Sequence, residues 1–169
     1  RAIVQSGTCT ADTSTISVVY VVGTANSGIL LSSSNKCSGN NGDTLLLVGY
    51  SGIIDHWESS IDGGTTWDSI TNTDDTLIYQ NLTTTTHYRV VLQGGLGGQC
   101  PNNISPIAVI TVSPATVPGA VLSDTTVCSG SNTGTLYLTG QIGTIMNWEV
   151  SLDGGNNWFV LSNTADSLN

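Results

Sequence analysis

Lysine and arginine are nearly missing from this chain: three in all, against twelve Asp and Glu, for a net charge of -9. So few cations can neither neutralise a phosphate backbone nor hold a protein on anionic lipid, which excludes nucleic acid and membrane surfaces as partners. No apolar run reaches the length that crosses a bilayer, so membrane insertion is not expected. No Cys-x-x-Cys pair occurs among the four cysteines, and His56 and His87 stand at no ligand spacing from any of them. Neither a metal nor another cofactor is therefore expected, and the cysteines fit disulfides in an oxidising, extracellular compartment. Helical periodicity is missing too, and Gly and Thr depress helix propensity along the whole chain.

What the sequence does hold is a repeat. Cys37-Ser-Gly begins a segment that returns at Cys128-Ser-Gly, 91 residues on, and the same offset relates Trp57 to Trp148, Asp62 to Asp153, Trp67 to Trp158 and Cys9 to Cys100. Residues 23–78 and 114–169 align without gaps at 24 identities in 56 positions. Arg1-Ala-Ile-Val-Gln matches Arg89-Val-Val-Leu-Gln, with a three-residue insertion before Cys100. The expectation is the end of one module (1–22, strands F and G), a complete module (23–113) and the start of a third (114–169, strands A to E), a window on a longer array.

Within a module, short apolar-alternating segments separated by turns predict an all-β fold of tandem immunoglobulin/fibronectin III-like β-sandwich modules. In immunoglobulin lettering the strands are expected at 29–35 (A), 43–48 (B), 53–60 (C), 65–70 (C′), 76–80 (E), 87–93 (F) and 106–113 (G). Trp57 and Trp148 on strand C are large enough to fill the gap between two sheets. Asp62-Gly63-Gly64 and Asp153-Gly154-Gly155 supply the positive-φ turn of a C–C′ hairpin. Leu82 followed by Tyr88 resembles a tyrosine corner, in which the phenol bonds to backbone at the E–F crossover.

Catalytic constellations do not assemble. Ser60-Ile-Asp62-Gly-Gly64-Thr-Thr66-Trp67 matches the Asp-box pattern of sialidase propellers, where the box is a structural hairpin. The arginines such a site would need reduce to Arg1 and Arg89, one position in successive repeats. His56 beside Asp55 is a candidate general base, but the next copy has Asn147 and Met146 there. Glu58 and Glu149 recur singly and do not form the paired carboxylates of a glycosidase. With no nucleophile, base and orienting group together, an enzyme is not expected. Asp74-Asp75 has too few further oxygen ligands for a calcium site and reads as a solvated turn.

The combined string, Cys-Ser-Gly-x-Asn, then Trp-Glu-x-Ser-x-Asp-Gly-Gly-x-x-Trp, then Asn81-Leu-Thr leading to Tyr88-Arg89, resembles repeats in giant surface proteins of Bacteroidota. These are the large adhesins and gliding-associated proteins exported by type IX secretion. The resemblance implies a cell-surface stalk or filament. It also implies O-glycosylation at Asp-Ser/Thr-apolar (or Thr) tripeptides, here at Thr44, Ser69, Thr76, Thr125 and Ser167.

The cysteines leave alternatives. A Cys37–Cys100 bond makes each module self-contained and, by loop closure, contributes about 4 kcal/mol. In a strict immunoglobulin topology, however, those residues lie at opposite poles, so the bond needs strand A to depart from it. Cys9–Cys37 with Cys100–Cys128 would instead cross a module junction, or one module's lower pole would bond to the next one's upper pole through partners outside the chain. The leading functional expectation is a spacer whose partners are neighbouring modules. A carbohydrate-binding module displaying Tyr50 or Phe159 to surface glycans is the second, and a subunit polymerising by strand complementation the third.

Overall fold

The computed structural model describes residues 1–31, 34–95, 98, 100–122 and 126–169. Every regular element among them is a strand. In chain order these are β1 (Ile3–Val4), β2 (Asp12–Thr13), β3 (Asn26–Leu31), β4 (Ser34–Cys37), β5 (Gly42–Ser51), β6 (Ile53–Ser60), β7 (Asp68–Ile70) and β8 (Thr76–Gln80). They continue with β9 (Thr86–Gly94), β10 (Cys100–Ile104), β11 (Ala108–Ser113), β12 (Ala120–Leu122), β13 (Leu136–Thr139), β14 (Trp148–Val150), β15 (Phe159–Leu161) and β16 (Ser167–Leu168).

From β3 to β11 the chain builds two sheets. One has the order β3-β5-β8; the other runs β4-β11-β9-β6-β7, with β10 also on β9. Alternation explains how they pack. Leu45 and Leu47 of β5 with Leu77 and Tyr79 of β8 face Ile54 and Trp57 of β6, Val90 and Leu92 of β9, and Ala108 and Ile110 of β11. Trp57 is fully buried at the middle, and its indole N–H donates to the Asp74 carbonyl at 2.9 Å, so the ring enters the core with its polar atom satisfied.

Sequence and structure differ at the edges. The expected first strand divides into β3, antiparallel to β5, and β4, parallel to β11, with residues 32–33 outside those described. The C′ strand shortens to β7 because the turn holds residues 61–67. The expected last strand is likewise preceded by β10, separated from β11 by residues 105–107. Ser105 accepts the Val90 N–H on its hydroxyl and donates its own N–H to the Val90 carbonyl, each at 2.9 Å.

Register recurs outside this sandwich. In 114–169, Leu136↔Leu168, Val121↔Leu138 and Trp148↔Leu161 repeat Leu45↔Leu77, Leu30↔Leu47 and Trp57↔Ile70. In 1–22, Ile3↔Thr13 and Val4↔Asp12 repeat Val91↔Ile104 and Leu92↔Asn103. Even the hydroxyl contact returns: Ser14 Oγ accepts the Ala2 N–H at 2.8 Å, as Ser105 does for Val90.

Candidate functional site

Two recurring constructions carry most of the polar chemistry. The first is the turn between β6 and β7. Asp62 accepts hydrogen bonds from the Ser60 hydroxyl (2.7 Å), the Thr65 N–H (3.0 Å), the Thr66 N–H (2.9 Å) and the Thr66 hydroxyl (2.6 Å). Gly63 and Gly64 take the expected positive φ, 76° and 90°. The Trp67 indole N–H closes the loop on the Gly64 carbonyl at 3.0 Å. Asp153 repeats the arrangement with Ser151, Asn156 and Asn157, and Trp158 bonds Gly155 at 3.1 Å. Donors aimed at the anion hold both carboxyls below their ordinary range: Asp62 far below, chiefly through Thr66, and Asp153 at about 2, chiefly through Asn157. With all its partners inside the turn, the Asp box here is a structural hairpin.

The second construction is a polar row on the outer face of β6 and β9. Glu58 stands directly opposite Arg89, whose Nε donates to it at 2.5 Å. The guanidinium lies 3.9 Å above the Trp67 ring. His56 Nδ1 is 2.7 Å from Asp55 and Nε2 is 3.4 Å from Glu58, while Gln93 donates to Asp55 on its other oxygen. His56 thus stands between two carboxylates, bonded to Asp55 and beside Glu58. The His56 hydrogen bond holds the Asp55 carboxyl below its usual range. Partial burial raises that of Glu58, but the bonds from Arg89 and His56 outweigh it and the net shift is downward. What the row does chemically is brace two strands.

Several expected residues take other roles. Tyr88 is buried and stacks on Tyr79, ring centroids 6.0 Å apart, and among the described residues its hydroxyl makes no hydrogen bond. The tyrosine-corner expectation is corrected accordingly: Asn41 closes the E–F crossover. Its side chain donates to the Cys37 and Leu82 carbonyls, both at 2.7 Å, and accepts the Leu82 N–H at 3.0 Å. Asn41 recurs as Asn132 at the 91-residue offset, and that recurrence is the signal in the sequence for its role. Tyr50 is half-buried and packs against the core, whereas Phe159 is 57% exposed. Asp74 and Asp75 lend their carbonyls to Trp57 and Leu47, as a turn does. Among the described residues no three His, Cys, Asp or Glu gather as a metal site. Thr44, Ser69 and Thr76 are exposed and Ser167 is half-buried, while Thr125 lies outside the described residues.

All four cysteines are free thiols. Cys37 is the ladder partner of Ser113 at the pole where the chain leaves the sandwich, and Cys100 is the partner of Gly94 at the pole where it enters. The nine residues of β9 lie between these poles, on the order of 25 Å at the usual rise per residue. A disulfide requires Cα atoms within about 7 Å, which corrects the expected Cys37–Cys100 bond. Strand A does change sheets, yet it does not bring Cys37 across the sandwich.

A search of curated proteins finds no match. A family model described as a domain of unknown function, DUF8696, matches residues 26–114 and 117–169, two segments whose starts are 91 residues apart. Since the matched segments make up most of the sequence, the chain belongs to that family.

Proposed function

We propose that this chain is part of the structural repeat region of an extracellular surface adhesin or filament, and that it serves there as a stalk or spacer. The observation that carries the reading is the return of one strand register, together with its Asp-closed turn and buried Trp, at a 91-residue interval. Modules that share a register and differ in their exposed side chains set length and stiffness; chemistry would need a site that one module keeps. The His56–Asp55 pair fails that test, because the next copy replaces both residues.

In this reading the modules are immunoglobulin-like, their partners are their neighbours, and the resemblance to type IX secreted Bacteroidota proteins supplies the cell surface as location. Exposed Thr44, Ser69 and Thr76 then serve as glycan acceptors that shield the sandwich from proteases. The test is the mass of the intact, reduced protein from its native source, with peptide spectra across these sites. An array predicts a mass several times the 17.5 kDa of this chain. A native species of 17.5 kDa plus glycans would overturn the spacer reading.

A further inference from the structure

The complete module carries two cysteines, one at either pole, and the repeat brings both kinds to one residue. Cys37 lies where the chain leaves the sandwich, as the parallel-ladder partner of Ser113, and the next residue, Ser38, donates its N–H to the Ser113 carbonyl at 2.8 Å. Cys100 lies where the chain enters, and its Sγ stands 3.8 Å from the Val22 carbonyl. Val22 and Ser113 are the same position of the repeat, 91 residues apart. The residue that ends a module's last strand therefore meets two thiols, one from its own module and one from the module that follows. A ladder partner lies one strand spacing away, about 4.8 Å. A disulfide spans up to about 7 Å between Cα atoms, so thiols gathered on one residue are within bonding reach.

The seat of the second thiol is closely fitted. An added Cβ at Gly95 would lie 3.1 Å from Val22 Cγ2 and 3.3 Å from Cys100 Sγ, so a side chain here would push the two apart. On β10, the Asn103 side chain donates to the Ala25 carbonyl at 2.9 Å, and the Asn26 N–H donates to the Ser51 hydroxyl at 3.0 Å. These bonds hold residues 22–26 on the entry pole in one register. Both kinds of thiol are accessible: Cys37 is exposed and Cys100 half-buried.

Pole by pole, the repeat also separates the four cysteines from one another. Cys9 is the counterpart of Cys100 and belongs to the entry pole of its module, while Cys128 is the counterpart of Cys37 and belongs to an exit pole. The four thus mark four successive junctions, in the order Cys9, Cys100, Cys37, Cys128, and no two share one.

We propose that each exit-pole thiol, of which Cys37 is the type, bonds the entry-pole thiol of the following module, of which Cys100 is the type, so that one disulfide staples every junction of the stalk. Each bond forms from two thiols, whose two protons and two electrons pass to an external disulfide, released as two thiols. The bond rests on the spacer reading, since its two sulfurs come from consecutive modules of one chain. It deepens that reading by making stiffness depend on oxidation.

The joint is testable in this chain by itself. Val22→Cys places a thiol at the residue both kinds share, and oxidation with glutathione disulfide should bond it to Cys100, read by mass spectrometry as a linked peptide that Cys100→Ser removes. A Cys100 that stays free in this variant, or that bonds Cys9, Cys37 or Cys128, would overturn the staple and leave the spacer reading intact. In the native protein, digested without reduction, peptides holding Cys37 and Cys100 should each be linked to a cysteine peptide from another module. A bond between any two of Cys9, Cys37, Cys100 and Cys128, or free thiols at Cys37 and Cys100, would overturn it as well. The spacer reading itself fails on a different measurement, the native mass.

Discussion

Asp62 and Asp153 show how much order one carboxylate imposes on a turn rich in glycine. Each gathers side-chain and backbone donors within four residues, all aimed at the anion: hydroxyls and backbone N–H groups at Asp62, with the Asn157 amide added at Asp153. The folded-state pKa of Asp153 is depressed from its ordinary 3.8 to about 2. A group lowered on folding contributes stability above its unfolded value and loses it as pH falls through the folded one. The turn should therefore hold above pH 4 and loosen between about pH 4 and 2 at Asp153, and lower still at Asp62. Carboxyl carbon shifts followed by NMR against pH check this: midpoints near 4 for both would mean that the donors do not engage the anion. Asp153→Asn, which cannot become an anion, should abolish the acid transition at its own turn and leave the one at Asp62 in place.

Elements were legible in the sequence wherever alternation and turn chemistry agreed. Strands expected at 43–48, 53–60, 76–80 and 87–93 are found as β5, β6, β8 and β9, because Leu45, Leu47, Trp57, Tyr88 and Val90 face one core at a period of two. Two features were not legible. The first strand's move between sheets is set by pairing with β11, far along the chain, and no local pattern in Asn26–Cys37 encodes it. Arg89, Glu58 and Trp67 come together only once β6, β7 and β9 are side by side. Gly52 marks a third constraint, between β5 and β6 where the chain passes from one sheet to the other. Its φ is 107°, and an added Cβ would lie 2.7 Å from the Gln93 carbonyl and 3.1 Å from the Ala25 Cβ. Backbone cannot yield as a flexible side chain would, so Gly52→Ala should cost more than about 1 kcal/mol in urea unfolding. A variant as stable as the parent would show that this crossover relaxes freely. Gly143, at φ 121°, repeats the conformation with only Thr116 side-chain atoms nearby, so Gly143→Ala should cost less.

At the scale of the whole molecule, burial is uneven in a way that protection from exchange should report. Among the described residues the buried apolar side chains lie between Ala25 and Ile110, with Trp148 the one outside. The central sandwich therefore has a closed core, while β1–β2 and β14–β15 are two-stranded sheets that open without disturbing it. In dilute, reduced protein, amides of β5 and β9 should exchange only through unfolding of the sandwich, at least a hundredfold more slowly than those of β1, β2, β14 and β15. Protection already equal across all strands would mean that the two-stranded sheets are held as firmly as the central sandwich.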